Sequence, residues 1–256
     1  MATAVRNDKR TIFGWAMYDW ANSAYITIFG AVIGAFFTGT IVTGDEYWGL
    51  SGEALFSILV GIGSIILMLV MPVLGAMADY ADSKKRFLRN FAFVGALFTL
   101  ILPFVPDGQV PLFLLVVVIG QFGFVAANVF YDGFLPEIAS DDTIDKVSSK
   151  GFALGYLGGG LYLLIALVLI FLSSDEPGAT LTETLAARIA IFGSGVWWVA
   201  FSLFALARLP ADGVGSGTRS IREYASIGFA RTLATGRKLT RFPQLLLFVV
   251  AFIVYN

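Results

Sequence analysis

Long apolar runs separated by short polar turns make up most of the chain. The six main runs cover residues 12–42, 53–78, 87–105, 110–131, 151–172 and 184–206. A helix needs about 20 residues to cross a hydrocarbon core of about 30 Å, and each run is near or above that length. No alternating ten-residue pattern of the kind that membrane β-strands show recurs along the chain. The pattern therefore predicts an all-α membrane protein with six spans.

A basic segment and a seventh apolar run follow the sixth span. Residues 209–243 are rich in Gly and Ser and then in Arg and Lys. They predict a cytoplasmic linker with an amphipathic helix that is attracted to anionic lipid. A nucleic-acid-binding tail is the alternative, but no aromatic–basic module supports it, and we expect no nucleic-acid partner. We therefore divide the chain into a six-span bundle (1–208), this linker (209–243) and the start of a seventh span (244–256).

Composition supports the membrane assignment and excludes several kinds of chemistry. Hydrophobic residues are 57% of the chain and charged residues 14%, with a mean hydropathy of +0.81. Soluble domains carry about 25% charged residues. The chain has no Cys and no His, which removes thiolate chemistry, the commonest metal ligand and the commonest general base. We expect no metal and no cofactor, and a proton carrier must be a carboxylate, a Lys or a Tyr.

The distribution of positive charge predicts the orientation. Sixteen of the 17 Lys and Arg residues lie in the amino-terminal tail, the turn between spans 2 and 3, the turn between spans 4 and 5, and the segment after span 6. The exception is Arg188. Because short cytoplasmic loops carry an excess of Lys and Arg, we predict a cytoplasmic amino terminus, in a bacterial cell membrane or a vacuolar-type membrane.

The turn between spans 2 and 3 combines a glycine, an acid and several bases. Gly75 lies one helical turn before Asp79, where it offers a bare patch for close helix approach, and Lys84, Lys85 and Arg86 follow. One interpretation is a solvated basic loop. The other is a charge latch that holds one conformational state of a moving protein. The spacing resembles the Gly-x-x-x-Asp…basic signature between helices 2 and 3 of the major facilitator superfamily.

Two further regions carry a closer resemblance. Residues 14–25 of span 1 are unusually polar and aromatic for a membrane helix, and residues 131–139 and 147–160 flank the turn after span 4. They resemble the vacuole effluxer-like branch of the major facilitators, which includes vacuolar amino-acid exporters and bacterial relatives. The resemblance implies twelve spans in two six-helix halves. This chain then looks like the amino-terminal half, and its partner is the missing carboxy-terminal half or a second copy.

Polar residues inside the spans are the candidates for solute and ion binding, because a buried polar group is costly in lipid. Helical spacing puts one group on one face of span 1 and another on one face of span 4. A tyrosine on span 5 lies within reach of the same region. The candidate set is Asp19, Asn22, Ser23, Gln121, Asn128, Asp132 and Tyr156.

Each candidate also has a simpler explanation. Asp19 lies in the headgroup zone if the helix starts late, and the nearby Trp15, Tyr18 and Trp20 then form an interfacial aromatic belt. Hydrogen bonds between helices explain polar amides such as Asn128 without any solute.

A glycine stripe on span 5 also has two interpretations. Gly151, Gly155 and Gly159 recur every fourth residue. A phosphate-binding loop would need a preceding strand, which is absent from the pattern, so the stripe predicts a packing face between helices.

The resemblance implies a secondary transporter that works by alternating access. Its partners are a small polar solute, with neutral amino acids as the family's suggestion, protons and the lipid bilayer. Asp19 is the leading proton carrier and Asp132 the second. The rival hypothesis is a non-transporting membrane scaffold or an intramembrane aspartyl enzyme, which would need both carboxylates close enough to share a proton.

Overall fold

The computed structural model describes residues 6–44, 46–80, 83–212, 221–239 and 242–255. In these residues all regular secondary structure is helical. We label the main helices in chain order as α1 (Lys9–Ile41), α2 (Gly52–Tyr80), α3 (Lys84–Ile101), α4 (Val110–Asp132), α5 (Ile144–Phe171), α6 (Glu183–Leu206), α7 (Ile221–Leu239) and α8 (Pro243–Tyr255). A 3-10 turn extends α3, and a single helical turn, Leu135–Ile138, follows α4.

Helices α1 to α6 are the described helices that are long and apolar enough to cross a membrane, which confirms the six predicted spans. The largest difference from the predicted bounds is in α5. It begins at Ile144, about two turns before residue 151, because the polar residues 145–150 form helical turns that extend beyond the apolar run. The start of α1 at Lys9 is fixed by Asp8, which accepts the backbone N–H of Thr11 at 2.8 Å as an N-cap.

Helix α1 is not α-helical throughout. Two segments, Phe29–Ile33 and Phe37–Ile41, are π-helical. π-Helical turns are rare and occur frequently at functional sites. The sequence pattern did not predict them, because both segments are as apolar as the helical turns around them.

Glycines let the helices of the bundle approach closely. A Cβ added to Gly155 would lie 2.7 Å from Asp19 Oδ2, and one added to Gly159 would lie 2.6 Å from Thr27 Oγ1. The stripe on α5 therefore packs against α1, which confirms the predicted packing face. A second crossing joins α3 and α4, where a Cβ on Gly123 would lie 2.5 Å from the backbone nitrogen of Gly95.

The segment after α6 returns to the bundle through α7. This helix packs against α2, and a Cβ on its Gly228 would lie 2.6 Å from the carbonyl oxygen of Val73. Phe229 and Leu233 stay exposed beside this contact. The division into bundle, linker and seventh span stays a prediction, and residues 213–220 of the predicted linker lie outside the described residues.

Candidate functional site

Two adjoining cavities of about 280 and 270 Å³ form one groove along α1, α4 and α5. They share Asp19, Ser23, Ile26 and Phe152 as lining residues, so we treat them as a single feature and call it the α1–α4–α5 groove. Six of the seven predicted candidates line it: Asp19, Asn22, Ser23, Asn128, Asp132 and Tyr156.

Gln121 is the candidate that lies apart from the groove. It accepts a hydrogen bond from the hydroxyl of Tyr25 at 3.1 Å, and it lines a smaller cavity beside residues of α2. Gln121 precedes Asn128 by seven residues, which places it about 10 Å further along α4. The shared helical face was predicted correctly, but the distance along the helix separates Gln121 from the two acids.

The neighbours of Asp19 on other helices show how deep it lies in the bundle. Gly155, which faces its carboxylate, is within three residues of the centre of α5. The next residue, Trp20, accepts the indole N–H of Trp197 on its carbonyl oxygen at 3.2 Å, and Trp197 is within three residues of the centre of α6. The first two turns of α5 lie outside its apolar run, so Gly155 is four residues, about 6 Å, inside that run. Asp19 is ten residues from the first residue of α1. It therefore lies within the spans, between mid-depth and the end of the bundle at which α4 ends.

The interfacial aromatic belt was wrong for two of its three residues. Trp15 is 3% exposed and Tyr18 is fully buried, whereas belt residues face the headgroups. The Trp15 ring stacks on Tyr131 with 4.5 Å between centroids, and its indole N–H donates to the Tyr131 carbonyl oxygen at 3.0 Å. These aromatic side chains join α1 to α4 and form one wall of the groove.

A hydrogen bond between amides crosses the groove wall. Asn22 Nδ2 donates to Asn128 Oδ1 at 2.6 Å, and Asn22 is buried. This is the bond between helices that we gave as the simpler explanation for Asn128. The amide pair therefore positions α1 against α4. Asp19 lies three residues before Asn22 on α1, and Asp132 lies four residues after Asn128 on α4.

The two acids are unpaired in the described part of the chain. Neither Asp19 nor Asp132 has a hydrogen-bond or ion-pair partner there, and no described Lys or Arg lines the groove. Asp19 is half-buried and Asp132 is exposed. Tyr131 lines the same cavity, and its hydroxyl is buried and has no partner among the described residues. The groove thus presents two carboxylates with no described Lys or Arg to balance them.

Sequence reasoning missed several aromatic and polar lining residues. Tyr131 was treated only as the first residue of the 131–139 motif, although it stacks on Trp15 and lines the groove. Ser148 and Phe152 also line it. Together with Tyr156 they recur every fourth residue on α5, and this spacing was the signal that could have found them.

The bases of the turn between α2 and α3 bind partners within this bundle. Lys84 Nζ lies 2.6 Å from Glu137 Oε1 and donates to the carbonyl oxygen of Gly133 at 3.0 Å. Both acceptors follow α4. The contact ties the start of α3 to the link between α4 and α5.

A second contact ties the start of α3 to the segment after α6. The backbone N–H groups of Lys85 and Arg86 donate to the carboxylate of Asp212 at 2.9 and 3.2 Å, and Lys85 Nζ donates to the carbonyl oxygen of Leu209 at 2.8 Å. Ser83, the residue at the N-cap position of α3, makes no side-chain capping bond. Asp212 therefore caps α3 from a distance in sequence.

The other two residues of the predicted latch are Gly75 and Asp79, on α2. A Cβ on Gly75 would meet nothing within 4 Å. The close helix approach predicted at this glycine is therefore wrong for the described part of the chain. The predicted role of the Asp79 side chain lies outside the described residues.

Comparison with known families identifies the family to which the chain belongs. A family model described as "Vacuole effluxer Atg22 like" matches residues 49–256. The chain belongs to this family. Its six apolar helices and its relatives make it an integral multi-pass membrane protein with a bundle of the major facilitator type, which confirms the predicted fold class. The proteins of this vacuole effluxer family are transporters, so the comparison gives no support to the enzyme alternative.

Three curated relatives illustrate the similarity. The chain is 28% identical over 241 residues to "Uncharacterized MFS-type transporter YxiO" of Bacillus subtilis (strain 168), covering 94% of the chain and 55% of that protein. It is 23% identical over 264 residues to "Autophagy-related protein 22" of Coccidioides immitis (strain RS), covering 78% and 42%. It is 21% identical over 196 residues to "Autophagy-related protein 22-2" of Aspergillus niger, covering 54% and 33%. No solved structure matches. The chain spans about half or less of the length of these relatives.

Proposed function

We propose that this chain forms the amino-terminal half of a secondary transporter that moves small polar solutes by alternating access. The observation that carries the proposal is the α1–α4–α5 groove, in which Asp19 lies within the spans and has no partner in the described part of the chain. Acids inside membrane spans mark solute and ion pathways. Secondary transporters bind their solutes near the bilayer midplane, at the interface between repeats.

The second half of the transport path is supplied by a carboxy-terminal half or by a second copy of this chain. The relatives support this part of the proposal, because the chain covers 55% of YxiO and 42% of the Coccidioides protein. Neutral amino acids are the proposed solutes, on the resemblance to vacuolar amino-acid exporters given above; the family description names an effluxer and no solute.

Protons are the proposed driving ion, with Asp19 as the leading carrier and Asp132 as the second. A carboxylate that takes up a proton loses its charge, and an uncharged group crosses a low-dielectric region at a lower cost. The position of the two acids favours this order. Asp19 is half-buried within α1, whereas Asp132 is exposed where α4 ends.

The turn between α2 and α3 is the proposed latch of the outward-facing state. Lys84 and Lys85 already hold the turn to the segments that follow α4 and α6. A conformational change that moves these segments against each other must break such contacts. We therefore assign the bases of the turn to conformational control rather than to solute binding.

The test uses the complete protein encoded by the gene, purified and reconstituted in liposomes with an imposed pH gradient. The wild type should accumulate a labelled neutral amino acid against its gradient. Asp19→Asn should lose this accumulation and keep solute exchange at equilibrium, because it keeps the shape of the site but cannot release a proton. Asp145→Asn is the matched control, since Asp145 is exposed in the first turn of α5 and does not line the groove. Accumulation by Asp19→Asn equal to that of the control would remove Asp19 from coupling.

A further inference from the structure

We infer that α7 docks on the surface of an anionic bilayer. In this arrangement Phe229 and Leu233 enter the boundary between headgroups and acyl chains, and the bases of the last turn, Arg237 and Lys238, lie among the negatively charged headgroups. The partner is therefore a lipid surface and not a protein. The inference does not depend on the proposed transport function, and its test needs no transport measurement.

The position of α7 along the chain keeps it close to the membrane. Helix α6 ends at Leu206, and the apolar α8, the predicted start of a seventh span, begins at Pro243, four residues after α7 ends at Leu239. Four residues reach at most about 14 Å when they are fully extended. The carboxyl end of α7 therefore lies within about one headgroup layer of the point at which α8 begins.

The contact between α7 and α2 gives the depth of α7. A Cβ added to Gly228 would lie 2.6 Å from the carbonyl oxygen of Val73 and 3.0 Å from Met77 Cγ. Val73 lies five residues before residue 78, where the apolar run of α2 ends, and this is about 8 Å along the helix. Amphipathic helices that lie in a membrane surface are buried about 5–10 Å into the boundary between headgroups and acyl chains. The contact on α2 places α7 in this range.

Two sides of α7 differ in polarity. Phe229 and Leu233 lie one turn apart and are 64% and 48% exposed. At about 100° per residue, Arg231 and Lys238 lie on the opposite side of the helix, and both are exposed. Aromatic and leucine residues on one side, with Lys and Arg on the other, are typical of helices that lie in a membrane surface. The exposed apolar side chains are then covered by acyl chains.

The charge of the segment favours anionic lipid. Residues 219–241 contain six Lys and Arg residues and one acid, Glu223. A basic cluster next to a helix that enters the membrane attracts anionic headgroups, and each base near such a surface contributes about fivefold to the binding equilibrium. An acidic protein would pair with the bases and leave the apolar side uncovered. An anionic bilayer matches both sides of the helix.

Spin labels on α7 measure its depth in the purified complete protein. Residues 1–256 contain no Cys, so Leu233→Cys supplies a single site for a nitroxide once any cysteines elsewhere in the protein are replaced by serine. Ala234→Cys is the matched position, because Ala234 is exposed and points about 100° away from Leu233. The protein is reconstituted in phosphatidylcholine vesicles with or without phosphatidylglycerol. Collisions of each label with oxygen, which concentrates in acyl chains, are compared with collisions with a water-soluble nickel chelate.

With phosphatidylglycerol present, we expect oxygen to reach the label at Leu233 and the nickel chelate to reach the label at Ala234. A label introduced by Phe229→Cys, on the same side as Leu233, repeats the measurement if the first substitution disturbs folding. It should give the same result as the Leu233 label.

Removal of two bases tests the lipid specificity. Arg237→Gln combined with Lys238→Gln should lower the ratio of docked to undocked α7 about 30-fold in phosphatidylglycerol vesicles, at about fivefold for each base. It should leave the ratio unchanged in phosphatidylcholine alone. Lys146→Gln combined with Lys150→Gln is the matched control, since these two bases are exposed at the start of α5. The control should keep the wild-type ratio in both kinds of vesicle.

Three results would overturn the inference. The first is equal access of the nickel chelate to the labels at Leu233 and Ala234 in anionic vesicles. The second is exclusion of both oxygen and nickel from the label at Leu233, because protein and not lipid would then cover this side of α7. The third is a loss of docking in the variant of Arg237 and Lys238 that is as large in phosphatidylcholine as in anionic vesicles, because the two bases would then have a structural role only.

Discussion

Replacing Gly155 by alanine tests whether the position of the Asp19 carboxylate matters. The added Cβ would lie 2.7 Å from Asp19 Oδ2, 2.8 Å from its Cγ and 3.0 Å from Ser23 Oγ. Ordinary contacts begin at 3.4 Å, so the carboxylate oxygen must move by about 0.7 Å. The atoms in the way belong to short side chains that can rotate, so the loss of stability should be at the low end of the ~1–3 kcal/mol typical of overpacking. A misplacement of about 1 Å in a site can reduce turnover about 100-fold.

Gly155→Ala should therefore lose most of its transport while it keeps most of its stability. Transport is measured in liposomes, and stability is measured as the midpoint of thermal unfolding in detergent. Gly61→Ala is the control, because a Cβ at Gly61 on α2 would meet nothing within 4 Å. Alanine favours a helix over glycine by about 0.8–1.0 kcal/mol, so the control should be as stable as the wild type or more so. Transport by Gly155→Ala at the rate of the control would refute the reasoning.

Three more predictions concern the bundle. Gly123→Ala should lower the free energy of unfolding by about 1–3 kcal/mol or more, since its Cβ would lie 2.5 Å from the Gly95 backbone; an unfolding midpoint no lower than that of Gly155→Ala would contradict this. Asp107→Asn should lower the midpoint by a small amount, because its ion pair with Arg188 at 2.7 Å is half-exposed; Arg188→Gln should lower it further, because Arg188 also donates to the carbonyl oxygen of Pro103 and lies over the Phe36 ring, and an equal loss from both variants would contradict these two contacts. Asp8→Ala should destabilise α1 at neutral pH. The backbone N–H that Asp8 caps lowers its pKa below the ordinary value of 3.8, so the stabilisation is present above pH 3.8 and is lost as pH falls through the lowered pKa; a difference between wild type and variant that persists at lower pH would contradict the capping role.

The spans were predictable because they depend on local properties. Whether an apolar run is long enough to cross a membrane depends on the run itself and not on the neighbouring helices. The ends of the helices were less predictable. The first two turns of α5 are polar and continue the helix beyond the apolar run, and Asp8 starts α1 at Lys9 through a cap that lies outside the run.

The candidate site was predictable in part. Helical spacing put Asp19 and Asn22 on one face and Asn128 and Asp132 on another, and all four line the groove. Tyr131 was missed because an aromatic residue in a span has the same pattern whether it packs against a helix or lines a groove. Only the tertiary structure shows that its hydroxyl has no partner in the described residues.

The partners of the bases in the turn between α2 and α3 could not be predicted from the sequence. Lys84 binds Glu137, which is 53 residues away, and Asp212 caps α3 from a segment that is 127 residues from Lys85. Charges near each other in sequence suggested a latch within the turn. The fold instead brings in acids that follow α4 and α6, because all three segments lie at the same end of the bundle.

The crossing of α1 and α5 contributes both to helix packing and to the proposed function. The stripe of Gly151, Gly155 and Gly159 has no Cβ atoms, so α1 can approach α5 closely enough for Asp19 to lie directly against helix backbone. A carboxylate on a lipid-facing surface would have the full unfavourable free energy of a charge buried in hydrocarbon. At this crossing it is covered by α5 and stays open to the groove that it shares with Tyr131. The glycine stripe therefore has two effects: the close packing that joins α1 to α5 also covers one side of the Asp19 carboxylate, while its other side stays open to the groove.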